Sequence, residues 1–362
     1  MKIGMMTFHK ADNLGAVLQA SALQKHLTDF FGECEMIDYI PNNQVVNQSI
    51  FRKVLHYCKN VILFWVSVPE YIRHRKFEAY RDQYYGKLSE TYSGDQAIER
   101  QCDRYDVIVS GSDQIFNTTL TGNSKAFYLH FENKARKVSY ASSFGRKNIS
   151  LDEKENIRKY LTLFSDVSVR EASARELIFQ EIGVMPDLVL DPVFLLDRCE
   201  WDTRCKHLKR LPKKYIFVYS MEQSEVLNNV VQQIACEERM DVIVVCGGRK
   251  TRNIKGKKDT TCGPTEFLRY IKNADVVITN SFHGCAFSLI YEKNFYCIAH
   301  SSRNARLENL LQLINKEKAL IITKIDNYKS YMIDGKQSFP KLNKYIESSK
   351  QYLKRCILGK DK

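Results

Sequence analysis

Short apolar runs alternate with stretches of helical periodicity along most of the chain. KIGMMTF (2–8) predicts a strand, HKADNLG (9–15) a polar loop, AVLQASALQKHLTDFF (16–31) a helix and ECEMIDYI (33–40) a second strand. This is a βαβ opening. Strands recur at YDVIVSG (105–111), KVSYASS (137–143), DVSVRE (166–171) and LVLDP (188–192), with helical patterns at 151–163 and 172–182. A crossover at 191–214 leads to a second unit. It reads strand 215–220, helix 222–239, strand 241–248, a basic loop 249–263, helix 265–273, strand 275–279, helix 285–292 and strand 295–300. A helix from about Arg306 and a charged one from about Leu342 complete it. Apolar strands alternating with helices predict parallel sheets covered on both faces. The expected fold is α/β, with two Rossmann-like doubly wound domains facing a cleft, at 1–195 and 212–340, and a C-terminal helix at 341–362.

Residues 41–104 depart from this rhythm. They are basic and aromatic with few strand signals, and 51–85 predicts two helices broken near Pro69. Aromatic residues at helical spacing favour a helical insertion that covers a sheet edge. The competing reading is an amphipathic element that meets a membrane surface or an acceptor.

Composition narrows the function classes. With 44% hydrophobic and 27% charged residues in a chain of 362, the protein is globular, not disordered, and long enough for two cores. A formal charge of +13 favours an anionic partner: a phosphorylated small molecule, an anionic membrane surface or nucleic acid. No helix-turn-helix, RNP-like strand or zinc finger is visible, so nucleic acid is not expected. The 11 cysteines scatter from Cys34 to Cys356 without a C-x-x-C pair, which predicts no disulfide framework and no metal site. MKIGMMTFHK has no signal-peptide core, and the apolar run from Val61 to Val68 falls far short of the roughly 20 residues that span a bilayer. The expected location is cytoplasmic, with the inner face of the cytoplasmic membrane as a peripheral site.

In open parallel sheets, ligands bind outside the carboxyl ends of the strands. The polar residues there are the candidates: Asn13 and Gly15; Ser112, Asp113 and Gln114; Ser143; Arg170; Asn280, Ser281, His283 and Gly284; Arg303 and Arg306. A helix starting near 284 offers free N–H donors, with Ser281 or Asn280 as its cap and Gly284 allowing close approach. Each has a plainer reading. His283 is equally a packed core histidine, Asp113 a helix cap, and Asn13 with Gly15 simple turn chemistry. Arg170 suits either a cleft-facing cation or an internal ion pair with Glu171, Asp187 or Asp191; Arg303 and Arg306 suit ordinary surface charges. Neither G-x-x-x-x-G-K-[ST] nor G-x-G-x-x-G occurs, which removes the usual support for ATP hydrolysis and for NAD-linked hydride transfer.

The set NLGAVLQASAL (13–23), GSDQIFN (111–117), YASSFG (140–145), SVRE (168–171), LDPVFLL (190–196) and GPTEFLRYIKNADVVITNSFHGCAFSLIY (263–291) resembles the polysaccharide pyruvyl transferase family. The resemblance runs in order from near residue 3 to about residue 315, and its specificity lies in the set, not in any one motif. It implies a GT-B-like fold and transfer of a pyruvyl group from phosphoenolpyruvate to a sugar of a cell-surface polysaccharide or its lipid-linked precursor. The products would be a ketal and free phosphate. Phosphoenolpyruvate would then be a co-substrate, and no further cofactor is required.

That chemistry fits the candidates. A donor with a carboxylate and a phosphate needs cations and N–H groups, which Arg170, Arg303, Arg306, Ser281 and the helix start at Gly284 supply. Delivery of a proton to the enol carbon suits His283, and a base for the attacking hydroxyl suits Asp113. Asn13, Gly15, Ser112, Gln114, Phe116 and Ser143 are expected on the acceptor side. Phe116 stands near where family members often carry a tryptophan, so it is expected to influence acceptor stacking. Two other classes stay open: a GT-B glycosyltransferase using a nucleotide-activated sugar, with Glu266 or Glu308 for the ribose, and a non-enzymatic basic protein that binds anionic glycan or nucleic acid.

Overall fold

A computed structural model describes residues 1–41, 64–99, 102–131, 133–146, 148–205, 210–247, 254–302, 304–325 and 327–359, with backbone only at 64–67. The N-terminal unit contains β1 (Lys2–Met6), α1 (Leu14–Phe31), β2 (Glu33–Ile40), α2 (Phe64–Tyr84), β3 (Leu88–Ser93), β4 (Val107–Ser110) and β5 (Arg136–Ser139). Then come α3 (Leu151–Tyr160), β6 (Ser168–Val169), α4 (Ala172–Ile182) and β7 (Asp187–Leu188). Its main sheet is parallel, in the order β3-β2-β1-β4-β5, and isolated parallel bridges (Val138 to Asp166, Ser142 to Val169) attach the β6–β7 pair beside β5.

The C-terminal unit contains β8 (Tyr215–Ser220), α5 (Glu225–Glu237), β9 (Asp241–Cys246), β10 (Lys257–Lys258), α6 (Pro264–Asn273), β11 (Val276–Thr279), α7 (Phe282–Ile290), β12 (Asn294–Ile298), α8 (Ala305–Leu313) and β13 (Leu320–Ile321). Its parallel order is β10-β9-β8-β11-β12-β13. Both sheets thus reverse direction of growth beside their first strand, between β1 and β4 and between β8 and β11. Such switch points are where open α/β sheets bind ligands.

The units share one apolar core. Val17 and Leu18 of α1 belong to the same buried cluster as Phe217 of β8 and Phe287 of α7. Trp201, in the crossover, is fully buried against Phe287, and its indole N–H donates to the Val193 carbonyl at 3.0 Å. This explains why α1 is buried nearly all round over its first three turns: one face packs on its own sheet and the other on the second unit. The last helix, α9 (Pro340–Leu358), returns to the N-terminal unit. Ser349 Oγ accepts from the Leu190 N–H at 3.0 Å, and Tyr352 donates to the Ser139 carbonyl at 2.8 Å.

The region 41–104 differs from its sequence reading in two ways. Helix α2 runs through Pro69 without a break, and a strand, β3, lies within the expected helical insertion. Among the described residues β3 pairs only with β2, and its residues are mostly exposed, so it carries the polar character of a protected edge and not an apolar signature. Residues 51–63, most of the expected first helix of the insertion, lie outside the described residues. Among the described residues no helix is long and apolar enough to cross a membrane.

One titratable group in this core links fold to pH. His26 of α1 is 3% exposed, with its ring 4.6 Å from that of Phe30. Burial, followed by the charge of Lys350, lowers its pKa from 6.5 to about 4, with Asp29 opposing. The unfolded chain therefore takes up a proton that the folded chain refuses. Stability is complete above about pH 6.5 and falls as pH drops towards 4, by up to about 3 kcal/mol. The thermal midpoint of the wild type should fall more between about pH 7 and about pH 4 than that of His26→Leu, which has no proton to bind. Equal slopes would remove His26 from the acid response.

Candidate active site

The carboxyl ends of β1, β4, β8 and β11 meet across the two units at a cleft of about 390 Å³. The chain just after each strand supplies its walls: Asn13 after β1, Asp113 and Gln114 after β4, Met221 after β8, and Asn280, Ser281 and His283 after β11. Both switch points therefore open into one space.

His283 sits in the first turn of α7, which begins at Phe282 with Ser281 as N-cap. This is earlier than the start near 284 that the apolar pattern suggested, because Phe282 and His283 continue the buried face. The imidazole is 7% exposed. Its Nε2 is closed off beside Asp191, 3.6 Å from Oδ2, a close polar contact longer than a hydrogen bond. The ring lies against the start of α1: a β-carbon on Gly15 would come within 2.2 Å of Nδ1. Gly15 is thus the N-terminal unit's allowance for a histidine from the other unit.

Asp191 is fully buried between two cationic or ionisable groups. Arg170 Nη1 donates to its Oδ2 at 2.5 Å, and the Val193 N–H donates to Oδ1 at 3.2 Å. Burial opposes its charge, but His283 and Arg170 hold the carboxyl well below the usual carboxylate range. Burial likewise works against the Arg170 charge, while Asp191, Glu171 and Asp113 together raise its pKa. A carboxylate behind an imidazole fixes the orientation of the ring.

Asp113 faces this group from β4's end, with Oδ1 3.8 Å from Arg170 Nη2. Its φ is +78°, a conformation that L residues rarely adopt. Its backbone is held there by a parallel bridge to Ser142 and by the Ser143 N–H, which donates to its carbonyl at 3.0 Å. Strain of this kind, of order 1–3 kcal/mol, persists where the surroundings over-determine it, and it clusters at functional sites.

Arg306, in the first turn of α8, lines the cleft with its guanidinium 5.9 Å from the Phe282 ring centroid. No carboxylate among the described residues lies within ion-pairing distance of it. Burial and then the neighbouring Arg170 lower its pKa, yet a guanidinium stays charged. The N-caps of α7 and α8, Ser281 and Asn304, make no side-chain cap bond, so both helix starts keep N–H donors.

The sequence pattern that defines the family polysaccharide pyruvyl transferase matches residues 13–302. The chain belongs to that family. The matched span runs from Asn13, after β1, past His283, and takes in β4, β8 and β11. Among solved structures, Anabaena Alr3699/HepE in complex with UDP-glucose aligns with a TM-score of 0.51 at 10% identity, over 99% of this chain and 92% of that one. The UDP-GlcNAc 2-epimerase of Methanocaldococcus jannaschii, in complex with UDP-GlcNAc and UDP, gives 0.47 at 16%, over 96% and 92%. ADP-heptose lps heptosyltransferase II of E. coli gives 0.40 at 10%, over 96% and 99%. At such identities the likeness concerns fold alone: two parallel-sheet units facing a cleft, a GT-B-like arrangement. No curated protein matches the chain.

Within this family member the cleft gathers His283, Asp113, Ser281, Arg306, Asn13 and Gln114, and several other candidates fall elsewhere. Phe116 is fully buried and stacked on Tyr128, with centroids 4.7 Å apart, so it presents no face to an acceptor. Gly284 turns towards strand β11: a β-carbon there would meet Thr279 Oγ1 at 2.3 Å, so helix–strand packing and not ligand approach requires it. Arg170 does not line the cleft; it stands behind it, ion-paired. Ser112 is fully buried, and Ser143 donates to Glu171 at 2.5 Å beneath Asp113. Arg303 lies outside the described residues.

Sequence reasoning overlooked Asp191, His300 and Phe8 as site residues. His300 ends the run FYCIAH, so the strand-end rule was sufficient to find it. Asp191 follows β7 within LDP, but its contact with His283 crosses between units and leaves no local trace.

Proposed function

We propose that this cleft transfers a pyruvyl group from phosphoenolpyruvate to two hydroxyls of one sugar, giving a pyruvate ketal and inorganic phosphate. The observation that carries this reading is His283, backed by Asp191, opposite Asp113 in a cleft whose wall carries Arg306, without a carboxylate partner among the described residues. Arg306 and the starts of α7 and α8 hold the donor's phosphate and carboxylate. Asp113 takes the proton of the first sugar hydroxyl as its oxygen bonds to C2 of the donor, and His283 delivers a proton to the adjacent CH2, making a methyl group. The C2–O bond to phosphate then breaks, the second hydroxyl adds at C2, and its proton leaves with phosphate. C2 keeps its oxidation level throughout, so the chemistry calls for no redox cofactor.

The acceptor belongs to a cell-surface polysaccharide or its lipid-linked precursor. The enzyme then works in the cytoplasm or at the inner face of its membrane, where a charge of +13 favours anionic lipid.

A thermal-shift titration tests the donor. Phosphoenolpyruvate at a hundredfold excess over Kd should stabilise the wild type by about 2.7 kcal/mol, and the shift should disappear in Arg306→Ala. A shift with a nucleotide sugar and none with phosphoenolpyruvate would replace this reading by glycosyl transfer.

A further inference from the structure

The two walls of the cleft differ in kind. Its cation, Arg306, both uncapped helix starts and His283 belong to the C-terminal wall. The N-terminal wall offers Phe8, Ala11, Asn13, Asp113, Gln114 and Leu120, with no cation among them. Among the described residues, the basic side chains near that wall are engaged: Arg170, 3.8 Å from Asp113, is held at 2.5 Å by Asp191. Arg81 pairs with Asp12 at 2.6 Å, Lys10 with Asp38 at 2.5 Å, and Arg73 donates to the Asp12 carbonyl at 3.1 Å. The Asn13 side chain already accepts from the Ala16 N–H, the donor that α1 would otherwise turn towards an anion.

Phe8 follows β1 at the switch point. Its ring is half-buried, held edge-on by Phe127 at 5.3 Å and 73°, and it lines the cleft with Leu120, which is 50% exposed. The segment carrying it is fixed. His9 is buried with Nε2 3.1 Å from Asp38, and its carbonyl accepts from Tyr85 Oη at 3.0 Å and from Arg81 Nε at 3.1 Å. A rigid aromatic surface beside an amide and a carboxylate is the chemistry that recognises a pyranose. The C–H groups of one sugar face pack on the ring, and the hydroxyls reach Gln114 and Asp113.

Resting on the pyruvyl-transfer reading, we propose that Phe8 and Leu120 form the acceptor platform and that the acceptor is a neutral sugar. An acidic sugar seated there would bring its carboxylate to Asp113, whose described cationic neighbour, Arg170 at 3.8 Å, is already shared with Asp191 and Glu171, and like charges so placed reject a ligand.

Saturation-transfer NMR on the full chain, with methyl β-D-glucopyranoside and methyl β-D-glucuronide as probes, tests this without turnover. The neutral glycoside should bind the wild type and Phe8→Tyr, and bind Phe8→Ala and Leu120→Asp at least about tenfold more weakly, a loss of about 1.4 kcal/mol. The glucuronide should bind the wild type at least about tenfold more weakly than the glucoside. Undiminished glucoside binding by both Phe8→Ala and Leu120→Asp, equal binding of the two probes, or no glucoside binding by the wild type would overturn the proposal. The phosphoenolpyruvate thermal shift, run on the same samples, separates the two readings. A shift kept in Phe8→Ala with sugar binding lost assigns the loss to the platform. A shift absent from the wild type counts against the donor assignment alone.

Discussion

Glutamine in place of His283 is expected to slow phosphate release from phosphoenolpyruvate in the presence of acceptor by about two to four orders of magnitude, the usual contribution of a positioned general acid. Glutamine fills similar volume and can still hydrogen-bond, but its amide is neither an acid nor a base near neutral pH. The fold should survive, because the site gains no charge and loses no packing volume. Gly15→Ala approaches the same residue from the other unit. Alanine is favoured over glycine in a helix by about 1 kcal/mol, so the backbone of α1 accepts it. Its β-carbon, however, would come within 2.2 Å of His283 Nδ1, and the imidazole must move. A displacement of about 1 Å costs on the order of a hundredfold in rate. The measurement is kcat for both variants beside their thermal midpoints. A His283→Gln enzyme that retained more than about a tenth of the wild-type rate would remove the proton-transfer role.

The sequence revealed the fold more fully than the site. Strands such as YIFVYS coincide with β8 residue for residue, since a strand buried on both faces must be apolar throughout. From those strands, topology alone placed Asp113, Ser281 and His283 at one cleft. What escaped depended on the partners a side chain meets in three dimensions. Phe116 and Phe8 are both phenylalanines near strand ends; one lies flat beneath Tyr128, the other opens into the cleft. Nothing local distinguishes them, and Phe8 read as the last residue of β1. Gly284 and Gly15 show the same ambiguity. Each looked like an accommodation for ligand, yet one accommodates Thr279 and the other the imidazole of His283. Arg170 ended a strand as expected of a cleft cation, but Asp191, 21 residues on, draws it inward.

That ion pair carries the largest expected effect on stability. Arg170→Met leaves Asp191, fully buried, and Glu171, 2% exposed, without their shared guanidinium. Breaking a buried pair from one side costs about 3–5 kcal/mol, because the remaining charge is neither solvated nor matched. The thermal midpoint should fall accordingly at neutral pH. The loss should shrink in acid. In the wild type, the depressed carboxyl of Asp191 contributes stability that is present above the ordinary carboxylate pKa, about 3.9, and lost as pH falls below it. Without Arg170 most of that contribution is already gone, so the variant has less to lose and the two midpoints should converge towards low pH. The double variant Arg170→Met with Asp191→Leu removes both charges and fills the space with apolar atoms, an exchange that is often neutral or stabilising. It should regain much of the lost midpoint while remaining inactive, since His283 no longer has a carboxylate behind it. Recovery of stability without recovery of turnover would show that the pair is kept for the imidazole and not for the fold. If the double variant is as unstable as Arg170→Met alone, the guanidinium matters chiefly through its packing over Phe282, 5.5 Å from the ring centroid, and charge compensation is not what holds it there.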